Sequence, residues 1–151
     1  MLFLRKSRKG FTLIELMVVV AIIGVLALLG LRLYTGQQQK AKNALVKANA
    51  GTIQTLIQAE LADTASFDVN VMVNNSDTVK GLFARSGINI PDGGPQTKNG
   101  TVPTTEGTTP DGEIGMVYVE YSPTAGDEYF KINGHGFSNG PVFETDLTAR
   151  K

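Results

Sequence analysis

The stretch Lys9-Gly10-Phe11-Thr12-Leu13-Ile14-Glu15-Leu16-Met17-Val18-Val19-Val20-Ala21-Ile22-Ile23-Gly24 decides how this chain is read. It opens an apolar run that continues to Leu31 and is broken only by Thr12 and Glu15. Twenty-one helical residues at about 1.5 Å each cover roughly 30 Å, the hydrocarbon thickness of one bilayer. Arg5, Lys6, Arg8 and Lys9 stand directly before the run. The positive-inside tendency therefore puts the first ten residues in the cytoplasm and everything after Arg32 on the far side. A cleaved secretory signal would need a small-residue site after the apolar core, and Leu28-Leu29-Gly30-Leu31-Arg32-Leu33 fits that pattern poorly. The reading is a single-pass protein that keeps its apolar segment.

Lys9-Gly10 followed by Phe11-Thr12-Leu13-Ile14-Glu15 resembles the precursor motif of type IV pilins and pseudopilins. The match is dense from Lys9 to about Ala27 and thin beyond it. The resemblance implies that residues 1–10 are a leader, removed between Gly10 and Phe11 by a prepilin peptidase that also methylates Phe11. It further implies an inner-membrane assembly platform driven by a cytoplasmic ATPase, and a helical filament of many copies as the product.

Glu15 then has two readings. An ionisable group inside a membrane span is costly and usually marks a contact, at about 2.5 to 3.5 kcal/mol for a carboxylate at the bilayer centre on insertion scales. Glu15 lies only about 6 Å along a helix from Phe11, so it could simply reach the headgroups. Alternatively, cleavage creates an ammonium at Phe11, and Glu15 of one subunit pairs with the Phe11 ammonium of its neighbour. An unpaired buried charge is expensive, so such pairing would fix the stagger between subunits. With the motif in view, the pairing is preferred. Lipid is as apolar as a helix bundle, so moving the span into a filament gains little hydrophobic energy and relies on packing and such polar pairs.

Past the span, Ala41, Leu45, Ala48, Thr52, Leu56 and Ala59 recur at helical spacing, with Ala44, Ile53 and Ile57 beside them. Gln38, Lys42, Asn43, Lys47, Asn49, Gln54 and Gln58 take the other positions. The same helix is expected to run to about Ala62, some 80 Å in all. A coiled-coil dimer is disfavoured because no heptad is sustained. Many type IV pilins carry a proline just past the apolar run, where this chain has Arg32. Gly24, Gly30 and Gly36 are left as the weak points, and Arg32 with Tyr34 suits an interfacial anchor.

The expected organisation is a leader at 1–10, a transmembrane and filament-core helix at 11–31, an amphipathic stem at 32–66 and a β-rich head at 67–151. In the head, the alternation of Phe67, Val69, Val71 and Val73 predicts a strand or extended segment. The stretch from Ser76 to Gly87 predicts a short helix closed by glycine. Pro91-Asp92-Gly93-Gly94-Pro95 breaks the chain, and 96–112 reads as a polar loop. Ile114 to Tyr121, Glu128 to Asn133 and Val142 to Leu147 read as three antiparallel strands, with 134–140 as a loop. A long helix on a small antiparallel sheet is an α+β fold.

The chain has no cysteine, although its head is expected on the oxidising side of a membrane, so packing and hydrogen bonds must hold the C-terminal segment. Removing the leader cations leaves ten bases against fourteen acids. From Gly51 to Ala149 there are thirteen acids against four bases, which argues against general nucleic-acid binding. Arg32, Lys40, Lys42 and Lys47 make the stem basic, so stem and head could attract between subunits over short distances.

No catalytic constellation is visible, and no cofactor is expected. His135, the single histidine, lies among glycines and lacks a second histidine or cysteine for a transition metal. Asp111-Gly112-Glu113 and Asp127-Glu128 could meet calcium, which the resembling type II secretion pseudopilins commonly bind, but neither has EF-hand spacing. Asn74-Asn75-Ser76 and Asn99-Gly100-Thr101 match the glycosylation sequon, a short pattern that arises often by chance. The resemblance makes the chain a structural subunit, the major pilin of a type IV pilus, located first in a bacterial inner membrane and then in a surface filament. The alternatives are a pseudopilin of a periplasmic type II secretion fibre and a membrane-tethered binding domain.

Overall fold

The computed structural model describes residues 10–77, 79–100, 113–124, 127–137 and 141–149. Its first element is one unbroken helix, α1 (Leu13–Asp63), which passes through Gly24, Gly30, Gly36 and Gly51. The chain divides into two compact units, residues 1–38 and 39–151.

In the first unit every described residue is exposed. Phe11, Leu13, Ile14 and the apolar side chains onward to Leu33 are all exposed. This part of α1 is long and apolar enough to cross a membrane.

In the second unit the remainder of α1 is joined by α2 (Ser66–Asn74), α3 (Leu82–Ser86) and a sheet of β1 (Val117–Ser122), β2 (Tyr129–His135) and β3 (Pro141–Thr148). The strands lie in the order β1-β2-β3 and both pairs are antiparallel. This is the expected α+β arrangement of helix and small sheet.

The core joins Ala50, Ile53 and Ile57 of α1, Val69 and Val73 of α2, Leu82 and Phe83 of α3, and Val117, Val119, Phe130 and Ile132 of the sheet. Alternation along each strand sends these sheet residues to the helix side. The register places Tyr118, Asn133 and Glu144 in one row on the other face, beside Glu120, Lys131 and Asp146.

Helix and sheet meet closely at Gly134, where an added Cβ would stand 2.5 Å from Val46 Cγ1. Only glycine fits there. Gly87 ends α3 with φ 68°, the left-handed turn that favours glycine and that the sequence anticipated.

Three expectations are corrected. First, the face of α1 turned to the head is Val46, Asn49, Ala50, Ile53 and Ile57, whereas Ala41, Leu45, Ala48, Thr52 and Ala59 are exposed. Burying β-branched bulk removes more apolar area than burying alanine, so Val46, Ile53 and Ile57 orient the helix. Asn49 goes inward because its Nδ2 donates to the Asn89 carbonyl at 2.7 Å.

Second, Phe67 to Val73 is helical, not extended. The same spacing that alternates also sets Val69 and Val73 four apart, so α2 buries that pair and leaves Phe67 and Val71 exposed. A helix there satisfies its own backbone, whereas a strand would need a neighbour. Third, His135 lies at the end of β2, fully within the fold.

The expected polar loop also has more structure than its composition suggests. Gln96 is buried, its Oε1 accepting from Val117 N at 2.9 Å and its Nε2 donating to the Val117 carbonyl at 2.5 Å. Asn99 does the same at Val119, with both contacts at 2.8 Å. Two side-chain amides thus stand in for a fourth strand along the outer edge of β1, a position that otherwise invites pairing with another chain. The rest of that loop, 101–112, lies outside the described residues.

Candidate functional site

The site indicated by the sequence is the start of α1. Gly10 and Phe11 lie in exposed, non-helical backbone, and Phe11 is 88% exposed. The peptide bond between them therefore precedes the helix and stays clear of its hydrogen-bonded turns. Helical geometry begins at Leu13, two residues later than expected, because Thr12 acts as the N-cap.

Glu15 is brought to Thr12. Its Oε2 accepts from Thr12 N at 2.8 Å and from Thr12 Oγ1 at 2.7 Å, while Glu15 N donates back to Thr12 Oγ1 at 3.3 Å. The Leu16 amide donates to the Thr12 carbonyl. This is a capping box, in which an N-cap threonine and a glutamate three residues later satisfy each other's amides. The carboxylate also sits where the helix dipole favours negative charge. The Thr-x-x-Glu spacing ahead of an apolar run carried this signal in the sequence, and the reading of Glu15 as headgroup-seeking or intersubunit missed it.

Among the described residues, Glu15 Oε1 accepts no hydrogen bond. Both contacts from Thr12 fall on Oε2, so one carboxylate oxygen is held locally and the other is presented outward. The Phe11 nitrogen is not among the partners of Glu15.

Among the described residues, those singled out in the head lie at several separate places. His135 stacks on Tyr118 with ring centroids 4.5 Å apart, and its Nε2 lies 3.7 Å from Glu113 Oε2. Glu128 accepts a hydrogen bond from Ser66. Asp111 and Gly112 lie outside the described residues. No group of three histidine, cysteine, aspartate or glutamate side chains suited to a metal occurs among the described residues.

Both sequon asparagines are engaged. Asn74 Nδ2 donates to Asn70, and Asn99 Nδ2 donates to Val119 O and to Asn74 Oδ1. A sugar on either nitrogen would replace one of its two hydrogens and so cost it a donor in these contacts.

The opposite charges of stem and head already meet inside one chain. Lys42 Nζ pairs with Asp92 at 2.7 Å and lies 5.1 Å from the Phe137 ring centroid. The Phe137 amide donates to Asn43 Oδ1. On the outer sheet face, Lys131 pairs with Glu144 at 2.6 Å, a bond that raises the pKa of the ammonium. Burial raises that of the neighbouring Tyr118 phenol.

The model of the prokaryotic N-terminal methylation motif matches residues 5–31. Fimbrial protein Q of Moraxella bovis is 32% identical over 138 residues, covering 85% of this chain and 88% of that protein. The type IV major fimbrial protein FimA of Dichelobacter nodosus is 38% identical over 65 residues, 43% of this chain and 41% of FimA. Type II secretion system core protein G of Pseudomonas aeruginosa is 33% identical over 95 residues, 63% of this chain and 60% of that protein. No solved structure matches the chain.

Proposed function

Because the chain belongs to the type IV pilin and pseudopilin family, we propose that it is the major structural subunit of a type IV pilus. It enters the inner membrane as a precursor with its basic leader in the cytoplasm. A prepilin peptidase cuts after Gly10 and methylates Phe11, and a platform with a cytoplasmic ATPase moves the subunit into a surface filament. The observation that carries this reading is the exposed apolar stretch from Phe11 to Leu33, nearly all of it in α1, which starts at the methylation motif. Such a surface is stable only when lipid or other copies of the helix enclose it.

In the filament, the open oxygen of Glu15 meets the Phe11 ammonium of a neighbour. The pairing removes a bare carboxylate from an apolar bundle and sets the stagger between subunits. The function is structural, and no step of chemistry is assigned to the head.

A pseudopilin of type II secretion is the second reading, favoured by the likeness to core protein G. The more extensive match to a fimbrial protein places it second. Filaments sheared from the cell surface decide between them. For the pilus, mass spectrometry finds this chain there, beginning at methylated Phe11, and Glu15→Ala is processed but absent from filaments. Short periplasmic fibres that need a secretion system would establish the pseudopilin. A Glu15→Ala chain that builds normal filaments would remove the pairing from either reading.

A further inference from the structure

Three contacts tie Glu15 to Thr12, and every atom in them lies on the C-terminal side of the bond between Gly10 and Phe11. Cutting that bond leaves the Thr12 amide and hydroxyl in place, so the capping box is common to precursor and mature chain. Cleavage adds only one group, the ammonium of Phe11, next to the cap.

We propose that Thr12 is a positioning residue for filament assembly: it retains Glu15 Oε2 in every subunit and leaves Oε1 as the single oxygen offered to the neighbouring ammonium. The inference rests on the reading of Glu15 as the intersubunit contact. A carboxylate on a flexible side chain inside an apolar bundle can point several ways, and each wrong direction buries an unpaired charge. Holding one oxygen through two hydrogen bonds removes most of that freedom before two subunits meet, which is how pre-organisation strengthens an association.

The residue type is specific to this task. The threonine hydroxyl donates to the carboxylate and accepts the Glu15 amide at the same time. Valine has the same shape and does neither, whereas serine does both.

The test expresses epitope-tagged full-length variants beside the wild-type chain in cells that have the peptidase and platform. It reads the share of each variant that enters sheared filaments, together with its cleavage and membrane level. Thr12→Val is expected to be inserted and cut normally while its incorporation falls roughly tenfold, the scale of one lost charge-assisted hydrogen bond. Thr12→Ser is expected to stay within about twofold of wild type because it keeps both contacts.

A double-variant cycle separates positioning from simple helix capping. In a Glu15→Gln background Thr12→Val should lower incorporation no further, since it acts through the carboxylate, whereas a general cap would cost the same in both backgrounds. Wild-type incorporation of Thr12→Val, loss with Thr12→Ser as severe as with Thr12→Val, or a fully additive double variant would overturn the proposal. If Glu15→Gln itself enters filaments like wild type, the intersubunit contact fails first, and that result is distinct from a failure at Thr12 alone.

Discussion

The two halves of α1 solve opposite problems with one helix. From Leu13 to Gln38 every residue is exposed, and among the described residues the side-chain contact that pins Glu15 is local, to Thr12. From Gln39 onward the same helix supplies Val46, Ala50, Ile53 and Ile57 to a core closed by α2, α3 and the sheet. The second half is completed by its own chain, while the first leaves its surface for lipid and other subunits. A filament subunit needs both, because a head that depended on neighbours could not fold before assembly, and a span that covered itself would have nothing to assemble with.

That contrast can be broken at its strongest point. Phe130→Ala should lower the stability of the 39–151 unit by about 3 to 5 kcal/mol through lost burial and the cavity left behind. Urea unfolding in detergent, followed by tyrosine fluorescence because the chain has no tryptophan, measures this. Ile22→Ala, in the uncovered half, should leave the same curve within about 0.5 kcal/mol of wild type. A large shift from Ile22→Ala would show that the head depends on the span after all.

Gly134→Ala sharpens the contrast at the contact of helix and sheet. A methyl aimed at Val46 should cost about 1 to 3 kcal/mol, part of it recovered by adding Val46→Ala. Gln96→Ala probes the closed edge of β1. It leaves the Val117 amide and carbonyl without their side-chain partner, at about 1 to 2 kcal/mol, and a rise in head-to-head aggregation should accompany it.

A smaller effect is expected at high pH. Tyr118 and Lys131 both have folded pKa values above those of the unfolded chain, the first through burial and the second through its bond to Glu144. Groups raised in this way contribute stability that is complete at neutral pH and is lost as pH climbs past about 10. Thermal melts between pH 8 and 11 should fall, and Tyr118→Phe should flatten the slope. Calcium chelation is expected to have the smallest effect, leaving the melting temperature unchanged. A drop on chelation would reopen the acidic segments around Glu113 and Glu128.

The parts legible in the sequence are those set by composition and short spacing. The length of the apolar run, the basic residues before Gly10, the three β-rich segments and the glycine that ends α3 each depend on neighbours a few residues away. Glu15 was legible as a residue with a purpose. Its local partner is written in the sequence as Thr-x-x-Glu, yet a carboxylate inside an apolar run is also the mark of residues that pair between molecules.

The parts that were not legible depend on which surfaces meet. Ala41, Leu45, Ala48 and Thr52 make as regular a stripe as Val46, Asn49, Ala50 and Ile53, and periodicity alone ranks them equally. The alternating valines of 67–73 fit a strand on one face or a helix through pairs four apart. Gln96 and Asn99 looked like solvated loop residues until β1 presented an edge for them to pair with.

By itself, then, the sequence determined the long apolar run, the methylation motif that covers Gly10 and Phe11, the carboxylate of Glu15 kept within that run and the α+β class, because each follows from local chemistry and length. Only the tertiary structure decided which face of α1 is inside, that 67–73 coils, where His135 is buried and how the sheet edge is closed. Those outcomes turn on side-chain volume and hydrogen-bond partners brought together across dozens of residues, and a linear pattern does not carry that information.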